Sequence, residues 1–155
     1  MPELFIVSDS HGATGFLRRA ADRILDGDYA QIIHLGDVLP DADRLSEWIG
    51  RPVVSVAGNC DFLSRAARER TLSLAEQKIL LTHGDRFRVK SSLDALSYRA
   101  EEAGCKCALY GHTHMPFAGL VGSVLLVNPG ALCDGRYATL RVSLQGVVPK
   151  LLRIK

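Results

Sequence analysis

The sequence lacks the features that mark disulfide-bonded, membrane-spanning or exported proteins. Its 155 residues include four cysteines and no C-x-x-C pair, so neither a disulfide scaffold nor a paired-cysteine zinc site is expected. No apolar run approaches the roughly 20 residues that a transmembrane helix needs. The N-terminus lacks the pattern of a signal peptide. We therefore expect a soluble, cytoplasmic protein with reduced thiols.

A strong charge of either sign is also absent. The formal net charge is +2 and no block of like charges stands out, so neither a membrane surface nor nucleic acid is expected as a partner. There is no repeat, linker or low-complexity tract. With 47% hydrophobic residues, the chain can build a sizeable core, and its length predicts one domain over residues 1–155.

Short apolar runs alternate with helical patterns along the chain. Runs typical of buried strands lie at 4–7, 31–35, 53–56, 78–82, 107–110 and 123–127, and a terminal hairpin is predicted at 138–144 and 150–154. Helices are predicted over Thr14 to Asp26, from Pro40, and after Ser91 or Ser92. This alternation indicates an α/β fold with parallel strands in the first half and mostly antiparallel ones in the last third. One open sheet and two stacked sheets both fit.

Five of the apolar runs end in polar residues beside a glycine or a turn. The stretches read FIVSDSHG, IIHLGD, VSVAGNCD, ILLTHGD and ALYGHTH. Ligands of open α/β sheets bind at the carboxyl ends of the strands. Seven side chains are therefore expected at one rim: Asp9, His11, Asp37, Asn59, His83, His112 and His114. Taken singly, the aspartates and Asn59 are explained as turn or cap residues, His83 as a hydrogen-bonded residue at the edge of the core, and His112 and His114 as surface residues. Together they predict a metal site. His34, inside a strand-like run, is given a structural role.

The predicted ligands are nitrogen and oxygen donors without a cysteine among them. Such a set suits manganese, iron, cobalt, nickel or zinc, whereas magnesium and calcium prefer oxygen ligands. Seven donors suffice for two ions if one carboxylate bridges, and two ions about 3.5 to 4 Å apart are a common device for phosphoryl displacement. Two divalent ions and two carboxylates leave a formal charge of about +2, which a bridging hydroxide and a monoanionic phosphodiester would neutralise.

The five stretches, in the order in which they follow along the chain, resemble the motifs of the calcineurin-like metallophosphoesterase family. The resemblance covers nearly the whole chain. The matching residues are Asp9-Ser10-His11, Gly36-Asp37, Gly58-Asn59-Cys60-Asp61, His83-Gly84 and Gly111-His112-Thr113-His114. The small size and the Asn128-Pro129-Gly130 turn are similar to the short bacterial and archaeal phosphodiesterase branch.

The resemblance implies a two-layer β-sandwich of mixed sheets flanked by helices, with two divalent ions at one rim. One ion, manganese being the first choice, would take Asp9, His11, Asp37 and His114, and the other Asp37, Asn59, His83 and His112. A hydroxide bridging the two metals would attack phosphorus, so Asp37, Asn59 and His83 would act in catalysis through that hydroxide. Asn59 would also contact the substrate.

A departure from the family pattern bears on the substrate. Cys60 stands where many members have the histidine that protonates the leaving group. Good leaving groups are therefore expected, with Cys60 near the leaving group, and the resemblance to this branch implies diesters over monoesters. Arg86 is a candidate for a phosphate contact, although a solvated basic turn fits its position as well. Asp61 is expected to order its loop by hydrogen bonds.

Other functions fit the same fold. The small retromer subunit resembles these enzymes but serves as an interaction scaffold with a degraded site, whereas all seven ligand positions here are occupied by competent residues. A phosphomonoesterase or a metal-dependent nuclease are further alternatives, although family nucleases carry extra domains. A small phosphoester substrate is the expected partner, and a homo-oligomer is left open.

Overall fold

The computed structural model describes residues 1–154, in which ten strands form two five-stranded sheets. The strands are β1 (Glu3–Val7), β2 (Gln31–His34), β3 (Val54–Ser55), β4 (Glu69–Leu74), β5 (Gln77–Thr82), β6 (Cys107–Leu109), β7 (Phe117–Val121), β8 (Val124–Asn128), β9 (Arg136–Ser143) and β10 (Gly146–Arg153). The first sheet has the order β10-β9-β1-β2-β3 and the second β4-β5-β6-β8-β7. β1, β2 and β3 are parallel, as are β5, β6 and β8.

Three helices cover the outer faces of the sheets: α1 (Thr14–Asp26), α2 (Leu39–Ile49) and α3 (Asp94–Glu102). The apolar faces of α1 and α2 pack with Phe5 and Ile32 on the first sheet. Leu96 and Ala100 of α3 pack with Leu80 on the second. A third apolar cluster, including Ile6, Ile33, Ile79 and Leu109, lies between the two sheets. The molecule is therefore a two-layer sandwich of mixed sheets flanked by helices, as the resemblance implied.

Most predicted elements are observed within one to four residues of their predicted bounds. The helix predicted after Ser91 or Ser92 begins at Asp94, whose N–H donates to Ser92 Oγ over 3.2 Å. Two strands were missed, β4 and β7, and both are edge strands of the second sheet. All of their side chains are exposed or only partly buried, so they lack the continuous apolar run of a buried strand.

Among the residues that the structure describes, none of the helices has both the length and the apolar character needed to cross a membrane.

Candidate metal centre

The seven predicted ligands lie at one edge of the sandwich, because the strands that carry them are parallel within each sheet. They follow β1, β2 and β3 in the first sheet and β5 and β6 in the second: Asp9, His11, Asp37, Asn59, His83, His112 and His114. Two hydrogen bonds link the sheets here. The His112 N–H donates to Asp9 Oδ2 over 3.1 Å, and His83 Nδ1–H donates to the Leu35 carbonyl over 2.8 Å. The rim is thus shared by both layers.

Two buried carboxylates lie among the histidine side chains. Asp9 Oδ1 is 3.2 Å from His114 Nε2 and 3.7 Å from His11 Nε2. It is also 3.8 Å from His83 Nε2. Asp37 Oδ2 is 3.7 Å from His11 Nε2 and 3.4 Å from His83 Nε2. Each carboxylate therefore faces histidines from both sheets.

The four imidazoles at the rim form two pairs. The ring centroids of His11 and His114 are 5.3 Å apart, and those of His83 and His112 are 5.1 Å apart. Asp37 Oδ2 faces one ring of each pair, His11 and His83. Asp9 Oδ1 likewise faces rings of both pairs. The division of the ligands between two ions, with Asp37 as the bridge, stays a prediction.

Two polar atoms at the centre are buried without a hydrogen-bond partner among the described residues: Asp9 Oδ1 and His83 Nε2. Such atoms are rare in folded proteins because leaving them unsatisfied costs about 1 to 3 kcal/mol each. The Leu35 carbonyl accepts from His83 Nδ1–H, which leaves the lone pair of Nε2 free in the neutral ring. A carboxylate oxygen and an imidazole lone pair turned toward the same space fit a divalent cation.

The charges of the two aspartates act on the neighbouring rings. Burial alone would lower the pKa of His83, but the carboxylates of Asp37 and Asp9 outweigh it and raise that pKa. Burial alone would raise the pKa of Asp37, but the His83 ring, whose Nε2 is 3.4 Å from Oδ2, and a hydrogen bond from the Cys60 N–H to Oδ1 over 2.9 Å hold it well below its ordinary range. Asp37 is thus ionised at all physiological pH values. A proton on His83 would compete with a cation for the same lone pair.

The turns that present these side chains have an unusual backbone conformation. Five of the seven predicted ligands have φ between +44° and +70°: Asp9, His11, Asp37, His112 and His114. For residues other than glycine the left-handed conformation costs about 1 to 2 kcal/mol. Strain of this kind concentrates at functional sites, where the surrounding structure holds it in place. Neighbouring glycines let the turns close, since a Cβ on Gly58 would overlap the Asp37 carboxylate and one on Gly111 the Asp9 carboxylate.

Two further aspartates hold the ligand-bearing turns, and one of them was not predicted. Asp61 Oδ2 accepts from the N–H groups of Asp37 and Gly58, both at 2.9 Å, so it orders its loop as expected. Asp41, in the first turn of α2, accepts from the Gly12 N–H over 2.8 Å. For the contact between Asp41 and Gly12, the only signal in the sequence was an acidic residue at the start of a predicted helix.

His34 has the structural role predicted for it. It is fully buried, its Nδ1 accepts from the Gly36 N–H over 3.1 Å, and its Nε2 lies 2.9 Å from Ser10 Oγ. Burial lowers the pKa of His34 to about 4, so the ring is neutral. Because both ring nitrogens are engaged in hydrogen bonds, neither is available to a metal.

Asn59 and Cys60 occupy the exposed side of the rim. The Asn59 amide donates to Cys60 Sγ over 3.9 Å, and its role as a ligand stays a prediction. The ligand atoms of Cys60, His11 and Asp37 lie within 4.8 Å of one another. Burial and the Asp37 carboxylate raise the pKa of the Cys60 thiol, so at neutral pH the thiol keeps its proton.

Two residues that the sequence patterns did not indicate lie close to His114. The ligand atoms of Cys133, Asp134 and His114 are within 4.8 Å of one another. Arg86 is exposed and lines a cavity of about 490 Å³ with Phe87, Arg88 and Tyr98. None of the seven predicted ligands lines that cavity, and the contact of Arg86 with substrate stays a prediction.

Comparison with known proteins shows the family of this chain. The calcineurin-like phosphoesterase superfamily domain matches residues 3–144. The chain is 33% identical over 129 residues to the probable metallophosphoesterase YsnB of Bacillus subtilis, covering 83% of this chain and 74% of the relative. It is 30% identical over 156 residues to the phosphodiesterase YfcE of Escherichia coli K12, covering 85% and 80%.

Solved structures share the fold. A predicted phosphoesterase from Streptococcus pneumoniae TIGR4 superimposes with a TM-score of 0.76 at 27% identity, covering 99% of this chain and 98% of the other. Vps29 of Entamoeba histolytica, solved with zinc, superimposes with a TM-score of 0.76 at 19% identity, covering 98% of each chain. The family match over most of the chain and the assembled rim of aspartates and histidines lead to one conclusion: this chain belongs to the calcineurin-like phosphoesterase superfamily.

Proposed function

We propose that this chain is a metal-dependent phosphodiesterase whose rim holds two divalent ions. The observation that carries the proposal is the pair of buried atoms without partners, Asp9 Oδ1 and His83 Nε2, among four histidines. Membership of the superfamily supports phosphoester hydrolysis. The similarity to YfcE, which is named a phosphodiesterase, supports diesters as the substrate class.

The ligands would divide between the two ions as the histidine pairs do. One ion would be held by Asp9, His11, Asp37 and His114, and the other by Asp37, Asn59, His83 and His112. The position of Asp37 Oδ2 between His11 and His83 supports Asp37 as the shared ligand. We propose manganese as the metal, and the same nitrogen and oxygen donors also suit iron, zinc, nickel and cobalt.

The residues of the rim would orient the bound ions and leave the site with a positive charge that suits an anionic ester. When bound, two divalent ions would polarise the phosphoryl oxygens and lower the pKa of water, so that a hydroxide nucleophile is available near neutral pH. Asp9 and Asp37 would cancel two of the four positive charges, so the loaded rim would keep a positive field that attracts a phosphoester. His83 Nδ1–H, donating to the Leu35 carbonyl, keeps Nε2 oriented for coordination.

Cys60 bears on the choice between diesters and monoesters. Burial and the Asp37 carboxylate raise the pKa of its thiol, and it lies beside Asn59 at the open side of the rim. A thiol is a weaker proton donor than an imidazolium. We therefore propose that the enzyme favours diesters whose leaving groups depart without full protonation, with Cys60 near the leaving oxygen.

A second candidate is a protein-interaction scaffold on the same fold. The observation in its favour is the fold similarity to Vps29. Because that Vps29 was solved with zinc, metal binding alone does not separate the two functions. Turnover of a phosphoester separates an enzyme from a scaffold. The complete set of seven ligand positions favours the enzyme.

The test is metal removal followed by reconstitution. The purified protein is stripped with a chelator, its metal content is measured, and manganese is added back before assay with bis(4-nitrophenyl) phosphate, 4-nitrophenyl phosphate and single-stranded DNA. We expect no hydrolysis by the stripped protein, recovery with manganese, and faster turnover of the diester. Full activity without metal would refute the proposal. A preference for the monoester or for DNA would establish a monoesterase or a nuclease, and metal binding without any turnover would favour the scaffold.

A further inference from the structure

A cleft of about 380 Å³ adjoins the metal centre on the side of Asp37 and Cys60. One wall is the start of α2, with Leu39, Pro40 and Asp43, and the other is the loop from Cys60 to Ser64. Its volume lies within the range of small-molecule sites. The cleft reaches the rim because Cys60 lines it while the Cys60 N–H donates to Asp37 Oδ1.

The walls of the cleft are apolar and unusually exposed. Phe62 is 74% exposed and Leu63 is 88% exposed, and both line the cleft with Leu39 and Pro40. A single exposed apolar side chain is ordinary on a protein surface. Four apolar residues around one cleft beside a reaction centre form a contiguous surface, of the kind that marks a binding site.

The base of the cleft is rigid although its walls protrude. Asp61 is buried, and its Oδ1 accepts from the Leu39 N–H over 2.8 Å, which joins the two walls. Arg68 donates to the carbonyl of Gly58 over 2.6 Å and to that of Asp61 over 3.4 Å. The cleft is therefore held at a constant position relative to Asp37.

The charge of the lining indicates what the cleft binds. Its described lining contains no lysine or arginine, and the exposed Asp43 adds a negative charge at its edge. An anionic group such as a second phosphate would be repelled there. The cavity lined by Arg86 and Arg88 has the opposite character. The occupant that fits the cleft is thus uncharged, apolar and able to stack on Phe62.

We propose that this cleft is the subsite for one ester group of the phosphoester substrate, and that Phe62 and Leu63 select an uncharged aromatic group there. The inference rests on the proposed phosphodiesterase activity, since the phosphoryl group would occupy the rim next to Asp37. Selection would come from burying the flat ring against the two apolar side chains.

The test compares two phosphodiesters with the same 4-nitrophenyl leaving group and either a phenyl or a methyl second ester group. In the manganese-loaded protein we expect kcat/KM to favour the phenyl ester by about tenfold. The double variant Phe62→Ala/Leu63→Ala should reduce this preference to about unity, whereas Phe62→Trp should keep it. The matched control is Leu120→Ala, an equally exposed leucine on β7 at 73% exposure, which should leave the preference unchanged.

A binding measurement separates failure of the subsite from failure of the proposed function. Calorimetry with phenylphosphonate and methylphosphonate, which cannot be hydrolysed as esters, should give about tenfold tighter binding of the phenyl compound, and the double variant should lose this difference. If the wild type hydrolyses neither ester but keeps the phenyl preference in binding, the phosphodiesterase proposal fails while the subsite stands. If the wild type hydrolyses both esters with a preference that the double variant retains, the subsite is refuted and the activity stands.

Discussion

At the scale of single residues, the rim depends on backbone conformations that the residue types do not favour. Asp37 has a φ of +65°, and the β-branched Val38 that follows has a φ of +66°, a region such residues rarely adopt. The D-x-H and G-D patterns identify the chemistry of these positions. They do not reveal that the chain must turn left-handed to aim both carboxylates at the same space.

Asp37 gives the residue-scale prediction. Asp37→Asn removes the charge that faces both His11 and His83, so we expect a loss of bound manganese and a fall in kcat/KM of at least about 100-fold. Metal analysis and the diester assay measure the two effects. Asp22→Asn, an exposed aspartate on α1, is the control and should change neither. Full metal content in Asp37→Asn would contradict the shared-ligand assignment.

At the scale of elements, the buried strands and the amphipathic helices follow from the sequence, whereas the edges of the second sheet do not. α1 was predicted from Thr14 to Asp26 and is observed over those residues, because its apolar side chains recur with the helical period. β4 has only half-buried and exposed residues. β4 is a strand because it pairs with β5, not because its own residues favour that conformation. The sequence pattern therefore did not predict β4.

An ion pair that joins β4 to α3 gives the element-scale prediction. Glu69 accepts from Arg99 Nε over 2.9 Å and from Nη2 over 2.7 Å, and these hydrogen bonds lower the pKa of Glu69 from its ordinary value of 4.5. A carboxyl group whose pKa is lower in the folded chain stabilises the fold above its unfolded pKa, and the contribution is lost as the pH falls through the folded pKa. Glu69→Gln should therefore lower the Tm at pH 7, and the deficit should shrink below pH 4.5.

Thermal unfolding of the wild type and of Glu69→Gln across this pH range measures the effect. Glu76→Gln, an exposed glutamate in the turn between β4 and β5 that has no ion pair among the described residues, is the control and should behave as the wild type. A deficit of the same size at pH 7 and at pH 3 would show that Glu69 acts through packing instead of charge.

At the scale of the whole molecule, the candidate site exists only because two sheets stack. Asp9, His11, Asp37 and Asn59 follow strands of the first sheet, and His83, His112 and His114 follow strands of the second. The apolar cluster between the sheets, with Ile6, Ile33 and Leu109, fixes their separation. An ion held by ligands from both layers would clamp the sandwich at this edge.

Metal-linked stability gives the whole-molecule prediction. A ligand that binds only the folded chain stabilises it by about 2.7 kcal/mol at 100 times its Kd, which for a chain of this size raises the Tm by about 5 to 10 °C. We expect manganese to produce such a shift in the stripped wild type, measured by thermal unfolding. In His83→Ala the shift should shrink, because one ligand of the second layer is lost. An equal shift in both proteins would place the ion elsewhere.

The sequence by itself determined the family of this protein and the donor types of its candidate metal site. The order of aspartates, histidines and an asparagine after apolar runs was enough to indicate the family, the metal-binding character of the rim and the structural role of His34, because strand ends and donor types are local properties. The departure from the family pattern at Cys60 was also visible in the sequence.

Only the tertiary structure decided how these residues meet. It resolved the choice between one open sheet and two stacked sheets, brought Asp41 and Asp61 against the ligand-bearing turns, and left Asp9 Oδ1 and His83 Nε2 buried without partners. It also formed the cleft between Leu39 and Phe62. These features depend on contacts between residues about 20 to 100 positions apart, and such contacts are set by the packing of the two layers, which no local pattern encodes.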